Sequence, residues 1–423
     1  MARIAPLRAL TYNRDKVGSL SDVTAPPYDV IDEEQRRELT ERHPHNIIRL
    51  VLDKPRGSGR EPGEYQRAAS LLEQWRQDGV LVQDTQPSIY VCRQTFSVGD
   101  QTISRTGFLA GLFLEQLGEG QVFPHEKTMP APREDRLELM RACRANLSPV
   151  FTIYSDPGGG CADFVRDVES REPLHEFDRG SGQRCALWRV QDEEWQRRLR
   201  GLLDPQTVCI ADGHHRYETA LHYRNQARQA SASPEEAPED YVLSLFVSVA
   251  DPGLTVLPTH RVVRSADMDQ KALLEHLRAT FTILPDPEEG TLAERWDALQ
   301  ERGAAIGYYA SDGALYGIVV PDDRAEGEAP SLDSLPVSIL NRDILRAFFG
   351  GSGDELACEL DYHHRAEDVQ EDVKQGDYQA GFLLPPLPPR TVERIARSGG
   401  RLPPKSTYFY PKIPSGLLIY PFD

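Results

Sequence analysis

Apolar residues follow two kinds of spacing along the chain, and the spacing separates strands from helices. Short runs rich in β-branched and aromatic residues predict strands, whereas apolar residues that recur every three or four positions predict helices. The predicted strands include residues 88–91, 208–210, 242–249 and 305–309. The predicted helices include residues 33–42, 65–78, 133–144, 193–202, 216–228, 270–280 and 292–302. This mixture predicts an α+β (mixed α/β) fold.

Polar or Pro/Gly-rich stretches separate these elements and predict surface loops. They cover residues 53–63, 156–160, 231–240, 285–290 and 322–330. A chain of 423 residues is long enough for two or three domains. Because both segments with candidate chemistry lie early in the chain, we assign residues 1–250 to a catalytic region. Residues 251–423 then form a second α+β region, which either completes the site or forms a homodimer.

The composition is that of a globular protein, with 39% hydrophobic and 27% charged residues. A formal net charge of -18 repels nucleic acid and anionic membrane surfaces, so neither is expected as a partner. A phosphate ligand is compatible with that charge, because a few convergent donors hold an anion locally. The six cysteines are scattered, and no segment reads as a signal peptide or a bilayer span. We therefore expect a cytoplasmic protein.

The most informative segment is 207–221, where a short apolar strand leads through a turn into a helix. Gly213 suits the turn, because glycine adopts a positive φ and lets a ligand approach the backbone. The helix that follows presents its first N–H groups and the positive end of its dipole to an anion. Arg216 adds a planar, charged fork that suits phosphate oxygens. The sequence therefore predicts a phosphate site at this turn.

Three other residues of the turn have candidate roles. Asp212 is placed to cap the helix or hold a metal ion, and His214 and His215 are placed to donate hydrogen bonds or carry a proton. The alternative is a capped turn with two surface histidines. We favour a functional site, because all five residues occur together directly after a strand that reads as buried.

A second concentration of polar residues lies in a Pro-flanked loop and the helix after it, at 122–136. Its candidate residues are His125, Glu126, Lys127, Arg133 and Arg136. The carboxylate is a candidate general base, the lysine is placed to neutralise phosphate charge, and either arginine can clamp a carboxylate or phosphate. The alternative is a solvated loop, with Arg136 paired to an acidic residue of its own helix.

Metal ligation is a separate question, because six residues are possible ligands, namely His125, Glu126, Asp212, His214, His215 and His260. None of them shows the His-Glu-x-x-His spacing of a zinc-binding helix. We therefore expect magnesium carried in with a phosphate donor rather than a dedicated transition-metal site.

Two further segments have weaker signals. Residues 363–365 repeat part of the main motif without its glycine, and we predict a surface helix there. Lys405 and Lys412 flank an aromatic run, which we interpret as a core strand with both lysines solvated. The alternative is that these lysines complete the site.

Six ordered blocks resemble those of a prokaryotic family catalogued as domain of unknown function 1015. The blocks begin at Ala25, Phe123, Asn146, Asp212, Pro258 and Lys405 and span nearly the whole chain. The block at 212–216 is also similar to the phosphate-binding motif of the ParB/sulfiredoxin superfamily, which includes partition proteins, sulfiredoxins and free serine kinases. The resemblance implies a ParB/sulfiredoxin-like phosphate-binding core with an additional C-terminal α+β region.

The likeness to free serine kinases implies phosphoryl transfer to the hydroxyl of free L-serine, giving O-phospho-L-serine. Donor phosphates would lie against Gly213, His214, His215 and Arg216, while Asp212 positions magnesium or the hydroxyl. Glu126 would be the base, and Lys127 or Arg136 would offset developing charge. The donor, whether ATP, ADP or pyrophosphate, stays open. So do two other classes of protein, a metal-dependent phosphoester hydrolase and a nucleotide-binding switch without a small-molecule acceptor.

Overall fold

A computed structural model describes residues 2–52, 62–126, 132–180, 182–230, 235–265, 268–320, 331–350, 356 and 358–423. It confirms the predicted mixed α+β fold. The chain forms two compact units, one of Met1–Thr255 with Pro411–Asp423 and one of Val256–Tyr410. These units differ from the regions drawn from the sequence, because the last segment of the chain belongs to the first unit.

The strands are short in most cases and lie in both units. In chain order they are β1 (Ile4–Ala5), β2 (Leu10–Tyr12), β3 (Leu81–Gln83), β4 (Ile89–Val98), β5 (Gln101–Phe113), β6 (Val122–Pro124), β7 (Ala145–Asn146), β8 (Val150–Tyr154), β9 (His175–Gly180), β10 (Gln183–Val190), β11 (Val208–Asp212), β12 (Tyr241–Ser248), β13 (Thr255–Leu257), β14 (His260–Arg264), β15 (Thr282–Leu284), β16 (Ile306–Ala310), β17 (Leu315–Val319), β18 (Glu359–His363), β19 (Ala380–Leu383), β20 (Tyr408–Tyr410) and β21 (Tyr420–Pro421).

The helices range from single turns to more than four turns. In chain order they are α1 (Arg14–Val17), α2 (Leu20–Val23), α3 (Glu33–Arg42), α4 (Ile48–Val51), α5 (Pro62–Gln77), α6 (Pro132–Cys143), α7 (Gly160–Glu169), α8 (Glu193–Leu203), α9 (His214–Ala230), α10 (Gln270–Thr280), α11 (Leu292–Glu301), α12 (Pro336–Ile339), α13 (Arg346–Phe349), α14 (Ala366–Gln375) and α15 (Pro389–Arg397). Tyr28–Val30 and Pro238–Asp240 are 3₁₀ turns, and Leu340–Leu345 is a π-helical segment between α12 and α13.

The first unit is built on one mixed sheet, in the order β6-β11-β8-β12-β5-β4-β10-β9 with β1 paired to β5. Only the β6–β11 and β8–β12 pairs among these are parallel. Every residue of β8 and β11 is buried, so both faces of the sheet are covered at this point. Burial on both faces explains why these strands are nearly continuous apolar runs in the sequence.

The end of the chain is tied into the first unit by backbone pairing. β21 pairs with β7, and Ser415 exchanges two backbone hydrogen bonds with Ala25. A further bridge joins Ile419 to Leu10. The segment that follows Lys412 is therefore held by the first unit's own backbone.

The second unit contains a six-stranded sheet in the order β15-β17-β16-β19-β14-β18. Its pairs are antiparallel, and apolar side chains of α11 and α14, including Trp296 and Val369, pack in its core. The predicted surface helix at 363–365 is wrong, because His363 ends strand β18 and pairs with His260 of β14. Similarity to the main motif misled there, because the strand forms through pairing with the distant strand β14.

Several predicted boundaries are confirmed by the structure. Helices α3 and α10 have the predicted ends, while α9 begins two residues earlier than its apolar spacing indicated. The predicted loops at 156–160 and 285–290 lie at or near the surface. Residues 53–61, 231–234 and 322–330 of the other predicted loops lie outside the described residues. In the described part of the chain, no helix combines the length and apolarity that crossing a membrane requires.

Candidate functional site

The site begins where β11 ends and α9 starts. The pairing of β11 with β8 shifts register between Ile210 and Asp212, and such a bulge re-aims the side chain that follows it. Gly213 then adopts a φ of +87°, and a Cβ atom there would lie 2.9 Å from the Arg216 guanidinium. Helix α9 starts at the next residue. Glycine is therefore needed both for the backbone conformation and for room beside the arginine.

Replacing Gly213 by alanine should affect binding as well as stability. A positive φ costs a non-glycine residue about 1–2 kcal/mol, and the added methyl also displaces Arg216. We expect weaker pyrophosphate binding by calorimetry alongside a lower unfolding free energy. Gly79→Ala is the matched control, because Gly79 has a φ of +68° with no atom near its Cβ position. Equal pyrophosphate affinity in the two variants would contradict the prediction of a phosphate site at this turn.

Asp212 is held between two cations. One carboxylate oxygen accepts a hydrogen bond from Arg216 and the other from Lys412. All three side chains are about nine-tenths buried. Burial alone would raise the pKa of this carboxyl, but the positive charges of Lys412 and Arg216 outweigh burial and hold it well below its usual range. Asp212 is consequently ionised at neutral pH, and the trio carries one net positive charge.

Two buried side chains, Arg105 and Gln94, hold the backbone at Lys412. Arg105, 1% exposed, donates hydrogen bonds to the Pro411 carbonyl (2.6 Å) and to the Gln94 side chain (2.5 Å). Gln94 in turn donates to the Lys412 carbonyl at 3.3 Å. Burial lowers the pKa of Arg105 to about 10, so it remains charged at neutral pH. The prediction of a solvated Lys412 is therefore wrong, because the hydrogen bonds from Arg105 and Gln94 hold this segment so that the lysine side chain is buried.

The second polar segment reaches the same place because β6 lies parallel to β11. Residues that follow neighbouring parallel strands emerge at the same edge of a sheet. The His125 ring donates through Nδ1 to the Ile210 carbonyl at 2.6 Å, and its backbone N–H donates to His214 Nε2 at 3.3 Å. Glu126 follows, with one carboxylate oxygen 3.6 Å from His125 Nε2 and 19% of its side chain exposed. A partly exposed carboxylate thus lies beside the start of α9.

His214 is neutral at physiological pH. Burial, reinforced by the neighbouring His125, lowers its pKa to about 3. Because Nε2 accepts the His125 backbone N–H, the ring proton resides on Nδ1. His214 therefore offers a hydrogen-bond donor rather than a second positive charge.

Arg216 has a second anchor on the loop between β7 and β8. Its Nη1 group donates to the Pro149 carbonyl, in addition to the bond from Nη2 to Asp212. The Ser148 hydroxyl on this loop lies 2.6 Å from that of Ser415. The blocks that begin at Ala25, Asn146 and Asp212 thus meet the end of the chain around one arginine.

A pocket lies next to Arg216, between α6, α9 and the loop at 145–148. It measures about 460 Å³, counting the part open to solvent. The Arg136 guanidinium stacks 4.1 Å from the Tyr28 ring centre and donates to the Val51 carbonyl and to Asp135. Burial raises the pKa of Tyr28 despite this cation, so its hydroxyl is protonated at neutral pH.

The structure brings together most of the predicted site residues. Those gathered around the start of α9 and its pocket are His125, Glu126, Asp212, Gly213, His214, His215, Arg216 and Arg136. Lys127 and the Arg133 side chain lie outside the described residues. Lys405 is exposed in the second unit. Sequence reasoning missed Thr219 and gave Tyr28 no role, although a Pro-Pro-Tyr-Asp block in a loop is itself a signal for a rigid functional segment.

Asp212 does not fit the predicted role of magnesium ligand in this arrangement, because Arg216 and Lys412 bind both carboxylate oxygens. Among the described residues, no group of three histidine, cysteine or acidic side chains is placed to hold a metal ion. The side chain instead orients two cations toward the start of α9.

Comparison with known proteins places this chain in a family. Residues 4–338 match the family described as protein of unknown function (DUF1015), and the chain belongs to that family. No curated protein matches the chain.

Several solved structures are similar at low identity. A conserved hypothetical protein from Pyrococcus furiosus is 15% identical, over 70% of this chain and 90% of that chain, with a TM-score of 0.35. A free serine kinase in complex with AMP is also 15% identical, over 72% and 98%, with a TM-score of 0.35. SbnI with C-terminal truncation from Staphylococcus aureus is 12% identical, over 72% and 84%, with a TM-score of 0.35. At these low scores, function has to be argued from the site itself.

Proposed function

We propose that this chain is a phosphotransferase that moves a phosphoryl group from a nucleotide or pyrophosphate to the hydroxyl of free L-serine. One observation carries the proposal. A partly exposed carboxylate, Glu126, and a helix start with a buried arginine, Arg216, emerge side by side from the parallel strands β6 and β11. A base next to an anion site is the minimum that phosphoryl transfer to a hydroxyl requires.

The donor's phosphates would bind at the start of α9. The first N–H groups of a helix and its dipole favour an anion, and the Asp212, Arg216 and Lys412 trio adds one net positive charge. Arg216 has five N–H donors, of which the bonds to Asp212 and Pro149 use two. The arrangement thus concentrates positive charge at one point of a chain whose formal net charge is -18.

The acceptor hydroxyl would approach from the side of Glu126. Its oxygen attacks the terminal phosphorus, a new O–P bond forms, and the bond from phosphorus to the bridging oxygen breaks. The electron pair of that bond leaves with the remaining phosphate, and the hydroxyl proton passes to Glu126. Positive charge at Arg216 and Lys412 offsets the charge on the phosphoryl oxygens. Asp212 acts as a positioning residue for both cations.

The choice of L-serine rests on the resemblance of residues 212–216 to the motif of free serine kinases. The geometry of the site supports the reaction class. The identity of the acceptor is therefore tested first.

The test is incubation of the purified protein with magnesium, L-serine and ATP, ADP or pyrophosphate in turn. We expect serine-dependent O-phosphoserine by mass spectrometry, with formation at least 100-fold slower in Glu126→Gln, about the lower end of what a general base contributes. Glu138→Gln, at an exposed position of α6, is the control and should retain activity.

Two results would overturn the proposal. Phosphate release that does not depend on serine would indicate a hydrolase. Nucleotide binding without transfer, for every donor, would indicate a nucleotide-binding switch.

A further inference from the structure

The pocket beside Arg216 contains a buried polar group that the proposed reaction does not use. Thr219 lines this pocket and is 2% exposed. Its hydroxyl has no hydrogen-bond partner among the described residues. A buried hydroxyl without a partner costs about 1–3 kcal/mol, so such a group is rare unless a ligand or water pairs with it.

Thr219 is placed to reach a ligand that is anchored at Arg216. The two residues are three positions apart on α9, which puts them on the same helix face about 4.5 Å apart along the axis. A molecule with its phosphate at the start of α9 that extends along the helix past Arg216 therefore reaches Thr219 with a group beyond the phosphate.

The walls of the pocket indicate the chemistry of that group. Val51, Leu139 and Leu147 give it apolar sides, and the stacked pair of Tyr28 and Arg136 gives it a flat polar one. Free serine is a small zwitterion and would lose its hydration against apolar walls without compensation. An uncharged planar heterocycle matches them better, because it buries apolar faces and presents hydrogen-bonding edges.

We propose that this pocket receives the nucleobase of the donor nucleotide and that the Thr219 hydroxyl hydrogen-bonds to its edge. The assignment rests on the proposed function, since it takes the phosphate site at the start of α9 as the anchor. It makes the donor a nucleotide rather than pyrophosphate. It also assigns Tyr28, at the family block beginning with Ala25, to the wall of the base pocket.

The test compares two ligands that share a phosphate and a sugar, AMP and ribose 5-phosphate, in wild type and in Thr219→Val. Valine keeps the shape of threonine and removes the hydroxyl. We expect AMP affinity to fall about threefold to tenfold, which is what one neutral hydrogen bond contributes. The affinity for ribose 5-phosphate and for pyrophosphate should not change. The measurement is isothermal titration calorimetry.

Thermal unfolding measures whether each variant is still folded, so a change in AMP affinity can be distinguished from a loss of stability. Removing a hydroxyl without a partner should leave Thr219→Val as stable as wild type or more so. Thr152→Val is the contrasting control, because the Thr152 hydroxyl donates to the Leu245 carbonyl at 2.8 Å and its loss should lower stability without affecting AMP.

Unchanged AMP affinity in a stable Thr219→Val, or an equal loss for AMP and ribose 5-phosphate, would overturn the base pocket alone. The proposed phosphotransferase would then stand, because its test is product formation. If wild type binds neither AMP nor pyrophosphate, both proposals fail.

Discussion

Lys412→Met should lower the unfolding free energy by about 1.5–3 kcal/mol, because the buried Asp212 carboxylate loses one of its two charge-assisted hydrogen bonds. Asp212 keeps Arg216, so the loss is expected toward the lower end of what such deletions cost. Pyrophosphate affinity should fall at least tenfold, since the trio then has no net positive charge. Chemical denaturation and calorimetry measure the two effects. Lys405→Met is the matched control, because Lys405 is an exposed lysine at the start of the same block.

The same variant has a predicted pH dependence. The pKa of Asp212 is lowered in the folded protein, so its ionised form contributes stability that is present above the unfolded pKa, about 4, and lost as pH falls through the folded pKa. Without Lys412 the folded pKa rises, and the contribution is lost at higher pH. The midpoint of acid unfolding should therefore shift upward in Lys412→Met and stay in place in Lys405→Met. An unshifted midpoint would contradict the pairing.

Arg216→Lys should weaken nucleotide and pyrophosphate binding about 10–100-fold while keeping the charge. A lysine ammonium is a single point of charge, whereas the planar guanidinium bonds to the Pro149 carbonyl and Asp212 and has further N–H groups for the proposed phosphate. The size follows from losing a charge-assisted hydrogen bond. Calorimetry with ADP and with pyrophosphate measures it.

Arg166→Lys is the control for Arg216→Lys, since Arg166 lies exposed on α7. Both ligands should lose affinity in Arg216→Lys, which separates this phosphate contact from the base contact assigned to Thr219. If only ADP were affected, Arg216 would belong to the base pocket and the phosphate assignment would be wrong.

The predicted turn was visible in the sequence because its information is local. An apolar strand, a glycine and a helix start follow one another at 208–216, and short-range geometry sets what they do. Helices α3 and α10 were predicted with correct ends for a related reason, since each has an aspartate that caps its first turn.

The wrong predictions concern residues whose positions depend on contacts with segments that are distant in the sequence. The backbone before Lys412 is held by Arg105, which donates to the Pro411 carbonyl across 306 positions, and no local sequence pattern around the lysine predicts that contact. His363 lies in a strand because β14 pairs with it. Thr219 was not predicted as a site residue, because a single threonine within a helix carries no signal in the sequence. Only the structure shows that its hydroxyl has no hydrogen-bond partner among the described residues.

Because Pro411–Asp423 belongs to the first unit, that unit can be completed only after the second unit has been synthesised. Residues 256–410 must be synthesised before the lysine that balances Asp212 leaves the ribosome. A nascent first unit therefore has the turn at Gly213 but neither Lys412 nor the pairing of β7 with β21. Premature termination anywhere in the second unit would yield a first unit in which Asp212 lacks its lysine partner.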